Sequence, residues 1–334
     1  MYDSFLYGYG LTLSLFNVLE KIEAKKNTSI KYYFNYTEFL KAFLHAEKHK
    51  KILRDFNKYF KLNTETQKAH DAAREFIIRE ENEIYSVGFE RWISKHIFTK
   101  DNPQLDYAII YSYLLYNYWY HLLYTQVLQH PSSEELIKRI GMYIRAALNA
   151  NTKIYTTNFD TLLDNYLLPE HLHGTFALPL KEMQDAILDL NREEDKFQYI
   201  YLLGTNGVEK RHRLNLVREL KQDYYDLDFF YDDNISLGNL LIYGMSFGYN
   251  QIITDDFLKE HPEHGDFNLL RSVDGHILSR LESFFDNGKL NKITISYYTE
   301  EDLQNIKFIF KATKFKDVVD FKHSSLIFDF HHLK

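Results

Sequence analysis

The chain has 334 residues, 45% of them hydrophobic, and a formal net charge of -7, enough apolar material for one large domain or two ordinary ones. The negative balance gives no general attraction to phosphate backbones, so nucleic acid is not an expected partner of this chain alone. Cysteine is absent, which removes disulfides, thiolate nucleophiles and every Cys-based zinc site.

Met1-Tyr2-Asp3-Ser4 lacks the basic stretch and small-residue cleavage site of a secretory signal, so the cytoplasm is the expected compartment. Ser4-Phe-Leu-Tyr7 reads as a short strand that ends in the turn Gly8-Tyr-Gly10, and Leu11 to Ile22 recovers a helical period. Strand, glycine turn and helix together make a nucleotide-binding opening, because close backbone approach and N–H donors at a helix start suit a diphosphate.

From about Thr37 to Ala150 apolar residues such as Leu40, Phe43, Leu44, Ile52, Leu53, Phe56 and Phe60 recur at spacings of three and four, which predicts a nearly all-helical block. Lys48, Lys50, Lys51 and Arg54, flanked by Glu47 and Asp55, read as a solvated helix face. Tyr107 to Leu128 is uncharged and long enough to span a bilayer, but its tyrosines with Asn117, His121 and Gln126 predict a buried aromatic helix instead. Ser132-Ser-Glu-Glu135 is placed as a capping box for a helix that runs to Leu148.

Beyond Asn151 the texture changes to short apolar runs separated by helix-like segments. Lys153–Thr156, Gln198–Leu203, Asn239–Tyr243 and Lys292–Ser296 read as buried parallel strands, and Leu326–Phe330 as a late edge strand. The expected fold is therefore α/β, a Rossmann-like parallel sheet in residues 1–30 and 151–334, interrupted after its first strand by an all-helical insertion over 31–150. Ligands of such a sheet bind at the carboxyl ends of the strands.

The most informative passage is Tyr155-Thr-Thr-Asn-Phe-Asp-Thr-Leu-Leu-Asp164, followed by Glu170-His-Leu-His-Gly-Thr-Phe176. Cleavage of a nicotinamide–ribose bond passes through an oxocarbenium-like state, so a site for it needs hydrogen bonds to ribose hydroxyls, a placed water and a base. Asn158 and His173 suit those roles, and Asp160 could orient the nicotinamide amide or a second water. Other readings stay open at this point. Asn158 and Asp160 could be helix caps, His173 could be a buried structural histidine, and Glu170, His171 and His173 could gather a metal.

This passage resembles the sirtuin signature, in which an aromatic-Thr-x-Asn-x-Asp segment follows a strand and a His-Gly pair comes some way downstream. Asn158, Asp160, His173 and Gly174 match it position by position. Gly8-Tyr-Gly10-Leu-Thr12 is similar to the family's amino-terminal glycine loop, Tyr243-Gly-Met-Ser246 to its later ribose-contacting segment, and Ile295-Ser-Tyr297 to its last main strand. The resemblance implies catalytic Asn158, Asp160 and His173, with Gly8, Gly10, Thr12, Thr157, Gly244, Ser246 and Tyr297 around NAD⁺ as substrate. The four-cysteine zinc module of the protein-deacylating members is missing, so no metal and no deacylase activity are expected. The zinc-free, insertion-rich form is similar to the sirtuin-like NADases of bacterial antiphage defence and to abortive-infection proteins of the AbiH type. The function so implied is an NAD⁺ hydrolase acting as a toxic effector, controlled by a protein partner or by homo-oligomeric assembly. The alternatives are a catalytically silent NAD or ADP-ribose sensor in a defence complex and a purely structural helical scaffold.

Overall fold

A computed structural model gives the fold over residues 2–23, 36–45, 50–59, 64–87, 92, 115, 118–123, 128, 131–173, 228–247, 272 and 274–330. Six strands build a single sheet: β1 (Ser4–Tyr7), β2 (Lys153–Thr156), β3 (Glu170–His171), β4 (Gly238–Tyr243), β5 (Leu290–Tyr297) and β6 (Val319–His323). Every pairing is parallel, and the spatial order is β3-β2-β1-β4-β5-β6. This is the α/β architecture anticipated above, with the strand order of a doubly wound, Rossmann-like sheet. In that order the chain reverses direction across the sheet between β1 and β4, and a crevice opens there at the carboxyl ends.

Parallel strands are covered on both faces, which is why β1 is buried throughout and Leu240–Tyr243 and Ile293–Ser296 are buried as well. Strand alternation sorts the side chains into two layers. Leu6, Tyr155, Leu240, Ile242, Ile293 and Ile295 belong to one core cluster, shared with Ile277, Leu278, Leu281 and Phe284 and with Ile306, Ile309 and Phe310. On the opposite face Phe5, Tyr7 and Tyr243 meet aromatic partners: Phe5 stacks on Tyr7 at 5.5 Å, and Phe328 lies 5.8 Å from Phe5 and 5.1 Å from Tyr243.

The helices in chain order are α1 (Tyr9–Glu23), α2 (Tyr36–Leu44), α3 (Lys50–Tyr59), α4 (Thr64–Arg79), α5 (Glu81–Val87), α6 (Pro131–Ala147), α7 (Asp164–Leu167), α8 (Asp228–Tyr231), α9 (Gly275–Asp286) and α10 (Glu300–Phe310). The chain divides into two compact units, one of Met1–Val18, Glu135–Gly174 and Thr205–Lys334, the other of Leu19–Glu134 and Thr175–Gly204. The first contains the sheet. In the second, the described residues are helical and centre on an aromatic cluster, with Phe43 at 5.0 Å from Phe56 and Phe56 at 5.3 Å from Tyr118. Among the described residues no helix is long and apolar enough to cross a membrane.

Three local expectations change. Leu326–Phe330 is not a strand: a 3₁₀ turn occupies Ser324–Leu326, and Phe328 and Phe330 are buried as an aromatic plug. The edge strand is Val319–His323 instead, whose Val-Asp-Phe-Lys-His run is too polar to announce itself. α6 begins at Pro131, where a missing N–H is no loss, one residue before the expected start at Ser132. The strand expected at Gln198–Leu203, the greater part of Tyr107–Leu128, and Lys48 lie outside the described residues.

Arg280 fastens α8 to α9. Its guanidinium donates to the Phe229 carbonyl at 2.9 Å, to the Asp232 carbonyl at 3.1 Å and to Asp233 at 3.0 Å, while lying 4.3 Å from the Phe284 ring centroid. Arg280→Ala is expected to lower the unfolding free energy by roughly 2–3 kcal/mol in urea titration, because two carbonyls lose a charged donor. Asp233→Ala, which removes only an exposed partner, is expected to change it by less than about 1 kcal/mol.

Candidate functional site

The sheet register brings the predicted residues to one edge. Tyr7 pairs with Thr156 on one side and Tyr243 on the other, so the next residues, Gly8, Thr157 and Gly244, emerge abreast. Thr156 also pairs with His171; Asn158 and His173 therefore stand two residues beyond matched positions of neighbouring strands.

Between β1 and β4 the backbones touch. The Gly8 N–H donates to the Tyr243 carbonyl at 2.9 Å and the Gly10 N–H to the Gly244 carbonyl at 2.8 Å. A Cβ on Gly10 would fall 2.7 Å from the Gly244 Cα, and one on Gly244, whose φ is +69°, would fall 2.5 Å from the Leu11 nitrogen. The glycines thus permit contact between two turns, and the two N–H groups that the resemblance assigns to a diphosphate already have partners within the chain.

On one side of this contact lies a hydrogen-bonded trio. The Asn158 amide donates to the Thr12 hydroxyl at 2.9 Å, and that hydroxyl donates to Asp160 Oδ2 at 2.9 Å. Asp160 Oδ1 accepts from the Leu162 N–H at 3.3 Å. Neither Asn158 nor Asp160 caps a helix, since α7 starts at Asp164 and has Leu163 as its cap residue. Burial pushes the Asp160 carboxyl up to about 6, against the opposing hydrogen bonds from Thr12 and Leu162. The Asn158 carbonyl oxygen Oδ1 is buried and has no hydrogen-bond partner among the described residues.

His171 holds the loop from beneath. Its Nδ1 lies 2.8 Å from the Asn158 main-chain carbonyl and its Nε2 lies 3.0 Å from Asp164 Oδ2. A carbonyl and a carboxylate are both acceptors, so both ring nitrogens donate when the imidazole is charged. Burial alone would lower this histidine, but the hydrogen bond and charge of Asp164, with help from the Asn158 carbonyl and Asp160, hold it above its ordinary value.

His173 turns elsewhere. It is 4% exposed, and its Nε2 lies 2.9 Å from Nε2 of His276, which is 3% exposed. Glu170 accepts from the Phe229 N–H at 3.1 Å. Glu170, His171 and His173 thus point to three different sets of partners and do not converge on a metal.

On the other side of the glycine contact is a cavity of about 360 Å³, lined by Gly10, Leu13, Ser14 and Asn17 of α1 and by Gly244, Ser246 and Tyr297 among others. This is within the range of small-molecule sites. Of the residues that the resemblance implies, Gly10, Gly244, Ser246 and Tyr297 line the cavity. Thr12, Asn158 and Asp160 make the trio, and Thr157 packs against Gly8, with its hydroxyl 3.3 Å from a Cβ built there. Gly174 lies outside the described residues. Sequence reasoning missed Asp164 and His171 as supports of the Asn158 loop and missed His276 and Asp274 altogether. The Asp-x-His spacing of the last two was the available signal, but nothing in the chain order ties it to His173.

Comparison with family models, with curated proteins and with solved structures returned no match.

Gly244→Ala must accommodate a left-handed φ and a backbone clash together, and is expected to destabilise the sheet unit by roughly 2–5 kcal/mol, measured by thermal or denaturant unfolding. The raised Asp160 carboxyl has a second consequence. Its contribution to stability is complete below its ordinary value of 3.8 and is lost as pH rises through about 6. Asp160→Asn, which keeps an acceptor for Thr12, is therefore expected to gain melting temperature relative to the parent above pH 6 and to lose that advantage near pH 4. Equal differences at both pH values would refute the assignment.

Proposed function

We propose that the sheet unit hydrolyses NAD⁺ to nicotinamide and ADP-ribose at the carboxyl ends of β1, β2 and β4, with a sirtuin-like arrangement of the site. The reading is supported by the strand order, by the cavity at the β1/β4 reversal, and by the resemblance of the Asn158–Asp160 segment. The observation that carries it is the Asn158–Thr12–Asp160 trio with its buried, unpartnered Asn158 Oδ1. An orphan acceptor in such a place is satisfied by a ribose hydroxyl or a water.

In this mechanism the bond between the ribose anomeric carbon and the nicotinamide nitrogen breaks, and its electron pair leaves with the nicotinamide. Water held by Asn158 adds to the anomeric carbon. Asp160 takes the proton that the water gives up, a task suited to a carboxyl near 6 that is ionised at neutral pH. His173 is less suited to be the free base than the resemblance implies, because its Nε2 faces His276. An enzyme of this kind would deplete a cell of NAD⁺, so control by a partner or by self-assembly belongs to the same proposal, as does a role in antiphage defence.

Purified protein incubated with NAD⁺ is expected to release nicotinamide, with kcat/KM falling as pH drops through about 6. Asn158→Ala and Asp160→Asn are each expected to lower the rate roughly 10²–10⁴-fold with melting behaviour still cooperative. Saturable NAD⁺ binding without release would favour the sensor alternative. Neither binding nor release would end both.

A further inference from the structure

His173, Asp274 and His276 form a second constellation, which the hydrolytic trio does not use. They come from two distant parts of the chain. His173 follows β3, whereas Asp274 and His276 open α9 in an Asp-x-His spacing. One ligand-type atom from each lies within 4.8 Å of the others.

The imidazoles meet through the same ring nitrogen, Nε2 to Nε2 at 2.9 Å, inside the protein. Without a cation this contact is a hydrogen bond in which one Nε2 carries a proton and the other does not. Asp274 stands at the N-cap position of α9, so its carboxylate is presented at the head of that helix beside both rings. A carboxylate and two imidazoles that bring one ligand atom each to a common point have the composition of a ligand set.

The supports are those of a built site. The Asp274 main-chain N–H donates to the Ser272 hydroxyl at 3.1 Å, and that hydroxyl donates to the Phe247 carbonyl at 2.6 Å, which fixes the start of the helix. Phe230 stacks on the His276 ring at 5.6 Å, and Phe159 lies 6.2 Å from the His173 ring. Two neutral imidazoles and one carboxylate carry a net charge of about -1, which a divalent cation offsets. Borderline-soft nitrogen donors with one hard oxygen select zinc or a neighbouring first-row ion over magnesium or calcium.

We propose that His173, Asp274 and His276 bind one first-row divalent cation, zinc among the natural candidates, through three protein ligands with a fourth position left for water. Tetrahedral bonds of about 2.0–2.1 Å place two coordinating nitrogens roughly 3.3 Å apart, so the rings need part by only a few tenths of an ångström. This goes beyond the hydrolytic proposal and does not depend on it, because uptake of the ion requires no NAD⁺. It also replaces the expectation of a metal-free chain, which rested on the missing cysteines.

The test uses the untagged full chain, dialysed against chelator and then titrated with zinc chloride and, separately, with cobalt chloride. One tightly held equivalent is expected by elemental analysis, and the cobalt form is expected to show the visible absorption of a four-coordinate site. Asp274→Asn and His276→Gln, which preserve size and polarity, are expected to weaken binding by more than the roughly 10–100-fold that loss of a merely supporting group produces. The chain has other histidines (15 in all), so zinc retained equally by the parent and both variants would overturn the assignment, as would failure of the parent to retain any. Repeating the titration on Asn158→Ala keeps the two proposals separate: that variant is expected to bind metal normally whatever becomes of nicotinamide release.

Discussion

Two main chains meet at Gly10 and Gly244, and most of the sheet unit's chemistry is arranged around that contact. Where a doubly wound sheet reverses direction, two neighbouring parallel strands send their following segments to opposite sides, and their ends would ordinarily stand apart. Here the turn after β1 and the turn after β4 are drawn together by the bonds from Gly8 to Tyr243 and from Gly10 to Gly244. No side chain fits in the space that remains. The contact separates a polar trio on the β2 side from a cavity on the β5 side, and α1 contributes to both, through Thr12 on one face and Gly10, Leu13, Ser14 and Asn17 on the other.

The trio sits in an acidic neighbourhood that the surrounding structure only partly compensates. Asp160 and Asp164 both approach the end of β2, and the hydroxyl of Tyr7, driven up first by burial, is held up further by the two carboxylates. His171 is the counter-charge, yet it binds Asp164 directly and reaches Asp160 only through space. One carboxylate is therefore neutralised and the other left poised. Paired acids with unequal environments are a general means of obtaining a group that changes protonation near neutrality.

Much of the sheet was legible because buried parallel strands have a composition of their own. Ser4–Tyr7, Lys153–Thr156, Asn239–Tyr243 and Lys292–Ser296 all correspond to observed strands, since Ile-, Leu- and Tyr-rich runs bounded by turns have few other uses. β3 and β6 were not legible: one has two residues and the other alternates charges at an exposed edge. Within the site, Asn158 and Asp160 could be singled out because they follow a readable strand. Thr12 was recognised only as a cofactor contact, and its part as the link between them depends on a helix face brought 146 residues along the chain to Asn158. The pairing of His173 with His276 spans 103 residues and has no local signature, so only the folded chain reveals it.

The hydroxyl at position 12 has one hydrogen to give, and it gives it to a carboxylate while taking another from an amide. That sequence of donors runs in a single direction only as long as the acid at its end is ionised. Once the acid carries its own hydrogen it can also act as a donor, and the run can then turn over, with the amide presenting its oxygen to the helix and its nitrogen to the opposite side. The orientation of one asparagine is in this way coupled to the charge on an aspartate, and any donor offered to that asparagine's oxygen favours the ionised form.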